Sequence, residues 1–329
     1  MYNIAQLIIL KHRFHLKKNI LVISYSQTGQ LNQLVENFIA PLQNSEDIHI
    51  EHKFIKPLKP FPFPWDLMTF MDSFPESIYL DGCEIEEFEE DTTEYDLIIL
   101  AYQVWFLSPS IPTTAFLKSK FAKEKLSNKP VITLIGCRNM WVMAQEKMKS
   151  LLNDIDAKLI DNVVLIDQGN SLETFITTPR WMLTGKSDSL WGMSKAGIDP
   201  KEIKNSSRFG RALLKALKED KEKTYEPLLT GLKAVEVNPK LIRSEKIATK
   251  SFTIWGGWIR KLGKPGDKKR KPVVMLYLVF LLLIILTVVP INMIIQSILR
   301  KVNKEKVLQE KEFYEKPSGD GNKRMEEFL

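Results

Sequence analysis

The sequence predicts an α/β protein in which a doubly wound, five-stranded parallel sheet is followed by a single transmembrane helix. Three observations support this prediction. Short apolar runs alternate with stretches of helical periodicity, three of these runs lead into polar or aromatic turns, and an uncharged stretch extends from Val273 to Leu299. Strands that alternate with helices form a parallel sheet with helices on both faces, because each connection must cross back to the start of the next strand.

The first strand and the first helix have the clearest patterns. Residues 20–23 are apolar at every position, which is typical of a central strand covered on both faces. The following helix has apolar residues at positions i, i+3, i+4, i+7 and i+8, and these are Leu31, Leu34, Val35, Phe38 and Ile39. A strand and an amphipathic helix therefore flank the turn at residues 24–30.

The later strands and helices continue the alternation. We predict strands at residues 48–55, 96–101, 131–135 and 158–167, and helices after Pro112, after Trp141 and over residues 199–217. Two insertions interrupt the pattern, at about residues 56–92 and 168–198. The first contains Pro60–Trp65, where three prolines exclude a helix or a central strand because proline has no N–H donor. This insertion is expected to form a lid, a membrane-facing patch or a packed loop.

The turn after the first strand has the composition of an anion-binding loop. Ser26 and Thr28 offer hydroxyl groups, and Gly29 and its neighbours offer backbone N–H groups at the positive end of the helix. No Lys or Arg lies between Asn19 and Leu42, so uncharged donors would hold the anion. The three glycines of a dinucleotide loop and the Gly-Lys-Ser/Thr of a Walker loop are both missing here. We interpret the turn as the phosphate site of flavin mononucleotide (FMN), with an ordinary turn capped by Ser26 as the alternative.

Two further turns follow neighbouring strands, at the edge of the sheet where doubly wound proteins bind their ligands. They comprise residues 103–108 and 137–141. Trp105, Phe106 and Trp141 in these turns either stack on the flavin ring or pack in the core, and the sequence leaves both interpretations open. The predicted cofactor contacts are Ser26, Gln27, Thr28, Gly29, Gln30, Gln103, Val104, Trp105, Phe106, Cys137, Arg138 and Asn139.

The uncharged stretch is long enough to cross a bilayer. As a helix it would extend about 40 Å, against a hydrocarbon thickness of about 30 Å. We predict a single-pass transmembrane helix at residues 272–299, with a membrane hairpin bent at Pro290 and a buried core helix as the alternatives. The net charge is +7, with seven basic residues at 260–271 and nine acidic residues at 81–96. The basic cluster predicts contact with anionic lipid rather than nucleic acid, and places the sheet domain on the cytoplasmic side of the inner membrane.

These features divide the chain into five parts. They are an N-terminal extension at residues 1–17, the sheet domain at 18–218, a basic and aromatic interfacial linker at 219–271, the membrane helix at 272–299 and a polar charged tail at 300–329. The extension lacks the features of a signal peptide. Two cysteines are typical of a reducing compartment. The four histidines have no metal-ligand spacing, so we expect no metal.

Four segments of the sheet domain resemble a known family. They are Ser24–Gln30, Pro60–Trp65, Trp105–Pro112 and Gly136–Trp141, and the resemblance covers about residues 18–218. The sequence is similar to flavodoxin-fold FMN proteins, and specifically to the membrane-anchored group found with dialkylresorcinol and aryl-polyene pigment biosynthesis, often labelled dialkylresorcinol condensing enzymes. One position departs from the flavodoxin pattern, because Leu31 stands where flavodoxins usually place a further threonine. One phosphate hydroxyl is therefore missing.

The resemblance implies an FMN-dependent oxidoreductase that acts on a lipid-like substrate and aromatises a 2,5-dialkylcyclohexane-1,3-dione to a dialkylresorcinol. Arg138, the one cation in the three turns, is the candidate for a catalytic role, and a structural ion pair is its alternative. A quinone reductase that uses NADH or NADPH and a non-enzymatic membrane tether are the competing hypotheses. The expected partners are the substrate, the membrane, biosynthetic partner enzymes and a second copy of the chain, and no nucleic acid is expected.

Overall fold

The structure, a computed structural model, describes residues 17–89, 91–170, 173–287 and 303–329. Residues 1–16 of the predicted extension lie outside this part of the chain. The same holds for residues 288–299 of the predicted membrane helix and for residues 300–302 of the predicted tail.

A central sheet of five parallel strands and one short antiparallel strand organises the molecule. The strands are β1 (Lys18–Ser24), β2 (Ile48–Phe54), β3 (Leu97–Trp105), β4 (Ser108–Pro109), β5 (Pro130–Cys137) and β6 (Lys158–Ile166). The parallel strands lie in the order β2-β1-β3-β5-β6, and β4 pairs antiparallel with the end of β3. This is the flavodoxin-like order, which reverses between β1 and β3. The predicted α/β class and the parallel sheet are confirmed.

The helices alternate with the strands and continue beyond the sheet domain. They are α1 (Gln30–Gln43), α2 (Leu67–Asp72), α3 (Phe74–Ile78), α4 (Ile111–Leu117), α5 (Lys120–Leu126), α6 (Val142–Asn153), α7 (Thr174–Thr184), α8 (Pro200–Asn205), α9 (Ser207–Lys218), α10 (Ile242–Arg260), α11 (Lys271–Leu286), α12 (Lys304–Glu315) and α13 (Met325–Phe328). The helix predicted over residues 199–217 is divided at Ser206, whose hydroxyl donates a hydrogen bond to the Ile203 carbonyl at 2.6 Å.

Helix α1 packs on the sheet as its periodicity predicts. All five residues of its apolar stripe are buried, namely Leu31, Leu34, Val35, Phe38 and Ile39. Helix α9 approaches α1 closely, and the rings of Phe38 and Phe209 stack with their centroids 6.0 Å apart. A Cβ atom on Gly210 would lie 2.0 Å from the Phe38 carbonyl oxygen, so only glycine permits this approach.

Strand β3 extends beyond its predicted end. Gln103 is in register with Gly136 of β5, and Trp105 is in register with Ser108 of β4. These partners extend the pairing of β3 to Trp105. Residues 103–105, which we predicted as part of a loop, are therefore part of the sheet.

A second apolar cluster joins the first insertion to α10 and α11. Its buried members are Met71, Phe74, Ile78, Leu107, Phe252, Ile259, Val274 and Tyr277. Beside it, Arg270 is completely buried at the start of α11, and its two Nη atoms each lie 2.9 Å from a carboxylate oxygen of Glu76. Within the described ranges, no helix combines the length and the apolar character needed to cross a bilayer.

The described part of the tail packs on the sheet domain. Tyr314 of α12 and Phe328 of α13 belong to the main apolar core. Between these helices, the Ser318 hydroxyl donates a hydrogen bond of 2.6 Å to the buried carboxylate of Asp161 in β6. Residues 228–242 of the predicted linker also add apolar side chains to this core.

Candidate flavin-binding site

The three predicted turns lie side by side at one edge of the sheet. Strands β1 and β5 are the two neighbours of β3, with Ser24 in register with Ala101 and Gln103 in register with Gly136. The Gln27 N–H donates a hydrogen bond of 3.3 Å to the Gln103 Oε1 atom, which joins the first turn to β3. The turns therefore surround the switch point between β1 and β3, where doubly wound sheets bind ligands.

Residues 26–30 form an open cradle at the start of α1, called here the phosphate cradle. Gly29 has a φ of +81°, a left-handed conformation that glycine adopts without strain. Its N–H donates a hydrogen bond of 3.1 Å to the Ser26 Oγ atom. Among the described residues, no side chain caps α1, and a Cβ atom on Gly29 would contact nothing within 4 Å. The positive end of this 14-residue helix is therefore open to an anion.

The donors of the phosphate cradle fit the phosphate of FMN. Backbone N–H groups at the helix start and the hydroxyls of Ser26 and Thr28 can each donate to a phosphate oxygen without any cation. Leu31 cannot take part, because its side chain is buried in the core. The cradle therefore has one hydroxyl fewer than the usual flavodoxin loop.

Two predicted contact residues, Gln27 and Gln30, use their side chains to hold the insertions. The Gln27 amide donates to the Pro62 carbonyl at 2.7 Å and accepts from the Trp65 indole N–H at 3.0 Å. The Gln30 Oε1 atom accepts from the Ile198 N–H at 3.1 Å. The backbone N–H of Gln30 is thus the part of that residue that can face a phosphate, whereas the Gln27 N–H already donates to Gln103. The two side-chain amides fix the insertions around the cradle.

The second turn is a tight hairpin that the sequence did not predict. Trp105 pairs with Ser108, and the two residues between them, Phe106 and Leu107, have φ values of +46° and +57°. Two consecutive left-handed residues are the signature of a type I′ hairpin, which usually contains Asn-Gly. In Phe106 and Leu107 this conformation costs about 1–2 kcal/mol per residue. The surrounding contacts must offset that cost.

Aromatic rings surround this hairpin. Trp105 makes edge-on contacts with Tyr25, Phe61 and Trp65, with ring centroids 5.1–6.0 Å apart. Phe106 contacts the rings of Phe74 and Phe252 in the second apolar cluster. Trp105, Phe106 and Trp141 thus all take part in packing, and Trp105 and Trp141 are buried.

The third turn brings Cys137, Arg138 and Asn139 beside the second insertion. The Arg138 guanidinium lies 4.3 Å from the centre of the Phe175 ring. Within the described residues its buried Nε atom has no hydrogen-bond partner. Burial lowers the pKa of Arg138, and the nearby Asp167 carboxylate opposes this effect. Burial also raises the pKa of the Cys137 thiol, and the Asn139 side chain accepts from the N–H of the next residue.

Two titratable groups beside the site, one buried and one half-buried, were missed by the sequence analysis. Glu245 of α10 accepts a hydrogen bond of 2.9 Å from the Met143 N–H in the first turn of α6, and burial raises the pKa of its carboxyl to about 8. Lys147 of α6 donates to the Ser108 hydroxyl at 2.7 Å, and burial lowers the pKa of its amine to about 8. Neither residue lies in a sequence motif. Packing between distant segments brings them to the site, and such packing leaves no signal in the sequence.

The described residues include no group of three or more His, Cys, Asp or Glu side chains placed to hold a metal ion.

Comparison with known proteins finds solved structures that are similar to part of this chain. No family model matches the sequence, and no curated protein is similar to it. A flavoprotein from Lactobacillus acidophilus in complex with FMN is 21% identical over 45% of this chain and 92% of its own, with a TM-score of 0.34. Oxidised flavodoxin 1 from Bacillus cereus is 16% identical over 50% of this chain and 97% of its own, with a TM-score of 0.28. The Trp repressor binding protein from Bacillus subtilis is 14% identical over 58% of this chain and 98% of its own, with a TM-score of 0.31. The flavodoxin-like assignment rests on the strand order.

Proposed function

We propose that this chain is an FMN-dependent oxidoreductase. The phosphate cradle is the observation that supports this function most directly, because its open, uncharged donors lie at the positive end of α1 and at the switch point of the sheet. When bound, FMN would supply two-electron redox chemistry, and the protein would position the reacting ring.

Each of the three turns has a separate part in the proposed site. The phosphate cradle holds the phosphate, and Gln103 keeps the cradle in place through its hydrogen bond to the Gln27 N–H. The buried Nε atom of Arg138 is a donor without a partner among the described residues, so it is suited to a polar ring atom or to a developing negative charge. The hairpin at Phe106 and Leu107 forms the apolar wall.

The proposed reaction converts a 2,5-dialkylcyclohexane-1,3-dione to a dialkylresorcinol. The ring loses two hydrogens overall, one as a hydride and one as a proton, and aromaticity supplies the driving force. An alkylated substrate is proposed because the hairpin lies against the second apolar cluster, which includes Phe252 of α10 and Tyr277 of α11. Each alkyl methylene that reaches such an apolar environment contributes about 0.8 kcal/mol.

We further propose that α10 and α11 attach the protein to the inner membrane, with the sheet domain on the cytoplasmic side. Helix α11 exposes a row of large apolar side chains, namely Met275, Leu276, Val279, Leu282, Leu283 and Leu286. Exposed lysines at 261, 264, 268, 269 and 271 lie next to this row. An apolar face bordered by lysines is suited to anionic lipid.

A second candidate function is reduction of a membrane quinone by NADH or NADPH. The rings of Trp105, Phe61 and Trp65 around the hairpin favour it, because planar quinones bind well among aromatic side chains. The two functions differ in the direction of electron flow. Reduction of the bound flavin by NADH or NADPH in the absence of a dione would support the quinone reductase.

Gly29→Val tests the phosphate cradle. The valine side chain would fill the open space, and a β-branched residue is strained at a φ of +81°. Gly319→Val is the matched control, because Gly319 has a φ of +76° and equally open surroundings but lies in the tail. We expect purified wild type and Gly319→Val to contain FMN, identified by absorbance and by the mass of the released cofactor, and Gly29→Val to lack it.

Both variants should lose similar stability, about 1–2 kcal/mol each from the strained backbone. Equal FMN content in the two variants would contradict the cradle assignment. A wild-type protein without flavin would instead favour the membrane tether.

A further inference from the structure

We propose that Lys147 is a positioning residue of the flavin site, which fixes the peptide between Phe106 and Leu107 through the hydroxyl of Ser108. This inference rests on the FMN function proposed above and deepens it. Lys147 lies in α6, outside the three turns, and it sets the shape of the hairpin that forms the apolar wall of the site.

A chain of two hydrogen bonds connects the amine of Lys147 to the hairpin. The Lys147 Nζ atom donates to the Ser108 Oγ atom at 2.7 Å. The Ser108 hydroxyl in turn donates to the Phe106 carbonyl at 3.3 Å. Ser108 is completely buried, so bulk water does not compete for its hydroxyl. A hydroxyl that accepts from a cation is polarised, and it becomes a stronger donor to the next group in the chain.

The carbonyl at the end of this chain belongs to the most strained peptide of the hairpin. It joins Phe106 to Leu107, the two consecutive residues with left-handed φ values of +46° and +57°. A peptide unit is planar, so a bond to its carbonyl fixes the rotation of the whole unit. Neither residue is the glycine or asparagine that this conformation favours. The chain from Lys147 therefore supplies one of the contacts that must hold the strained form.

The amine of Lys147 makes no ion pair that would give it another purpose. Within the described part of the chain its second acceptor is the Ile78 carbonyl, at 3.2 Å, and no carboxylate pairs with it. Ile78 is the last residue of α3, where carbonyl groups lack partners within the helix. Burial lowers the pKa of the amine to about 8, so most of it still carries its charge at neutral pH. Lys147 thus joins α3 to the hairpin as a cation.

The ends of the hairpin are held by other bonds. The buried Ser77 hydroxyl of α3 donates to the Trp105 carbonyl at 2.8 Å. The Ser110 N–H donates to the Gln103 carbonyl at 2.9 Å. Loss of the Lys147 amine would leave these bonds in place and release only the central peptide. We therefore expect its loss to change the site more than the fold.

Titration of purified full-length protein with FMN, after removal of bound cofactor, tests this role. Lys147→Met keeps the length of the side chain without its donors, and Lys147→Arg keeps a charged donor. Ser108→Ala removes the hydroxyl in the middle of the chain. Lys149→Met is the matched control, because Lys149 lies in the same helix and pairs with Glu146 at 2.7 Å. The Kd for FMN and the visible circular dichroism of bound FMN are measured for each variant and for the Lys147→Met, Ser108→Ala double variant.

We expect Lys147→Met to weaken FMN binding about tenfold, because the released hairpin spends only part of its time in the binding conformation. Ser108→Ala should have a similar effect. The double variant should bind no more weakly than either single variant, because both changes break the same chain. Lys147→Arg should recover most of the affinity. Lys149→Met should bind FMN like wild type, and only the variants that break the chain should change the circular dichroism.

An FMN Kd that is unchanged in both Lys147→Met and Ser108→Ala would overturn the proposal, even if the two variants unfold at a lower temperature. Equal weakening in Lys149→Met would also overturn it, and so would losses that add in the double variant. If Lys147→Met fails to fold, Ser108→Ala and Lys147→Arg still give the comparison. A wild type that binds no FMN would instead overturn the proposed function, and this inference with it.

Discussion

At the residue scale, Glu245 is an ionisable group whose charged form the fold disfavours. Glu245 is 1% exposed, and its carboxylate accepts a hydrogen bond of 2.9 Å from the Met143 N–H. The pKa is raised from 4.5 to about 8 by burial. Between these two values the unfolded chain has released the proton and the folded protein still holds it, so stability falls as pH rises through this range.

Glu245→Gln should remove this pH dependence. The glutamine carbonyl can still accept from the Met143 N–H, but it cannot become charged. One pKa unit corresponds to about 1.4 kcal/mol, so the variant should exceed wild type in stability at pH about 8 by a few kcal/mol and match it at pH about 4. Denaturant unfolding at both pH values measures the difference. A wild type whose stability does not change between them would contradict the prediction.

At the scale of the element, one buried ion pair docks the first insertion against α11. Arg270 bonds both oxygens of Glu76 and the backbone carbonyl of Asp72, and Arg270 is completely buried. Such a pair adds little net stability, because desolvation offsets the attraction, but removing one partner leaves an uncompensated charge. The docking of α2, α3 and α11 therefore depends on all partners being present.

Arg270→Met should destabilise this docking by about 3–5 kcal/mol, because Glu76 and Asp72 would lose their cation. Adding Glu76→Gln should recover part of the loss. Arg260→Met is the matched control, because Arg260 pairs with Asp81 at 2.7 Å but both side chains are more than a third exposed, and its loss should cost about 1 kcal/mol or less. Hydrogen exchange of the α2 and α3 amides reports the effect. Equal exchange rates in the two single variants would contradict the difference.

At the scale of the whole molecule, α10 and α11 give the protein one apolar face. Trp258 belongs to this face and is 54% exposed, whereas Trp191 lies in the second insertion and is 84% exposed. Exposure alone would make Trp191 the better lipid contact. The proposed membrane attachment instead selects Trp258, because it lies near the apolar row of α11 and the lysines of the α10–α11 connection.

Lipids brominated in their acyl chains should quench part of the tryptophan fluorescence of the reconstituted protein. Trp258→Phe should reduce the quenched fraction, because the ring that contacts the acyl chains is no longer a fluorophore. Trp191→Phe should leave that fraction unchanged. Equal losses in the two variants would mean that the face formed by α10 and α11 is not the one that meets the membrane.

The sequence predicts those parts of this molecule that depend on residues close together in the chain. The buried run of β1, the stripe of α1 and the cradle at Gly29 are all local patterns, and the structure contains each of them. The hairpin at Phe106 and Leu107 lacks the Asn-Gly signal, so sequence alone does not reveal it. Contacts between distant segments, such as Ser318 with Asp161, leave no local signal either. These contacts distinguish a tail that belongs to the core from a polar extension.

The position of the tail also constrains how the protein is made. Ser318 and Phe328 are translated after the apolar stretch, yet both are needed to complete the core around β6. While the apolar stretch is being translated, the residues that close this core have not yet been made. The sheet domain can therefore complete its folding only after translation has reached Phe328.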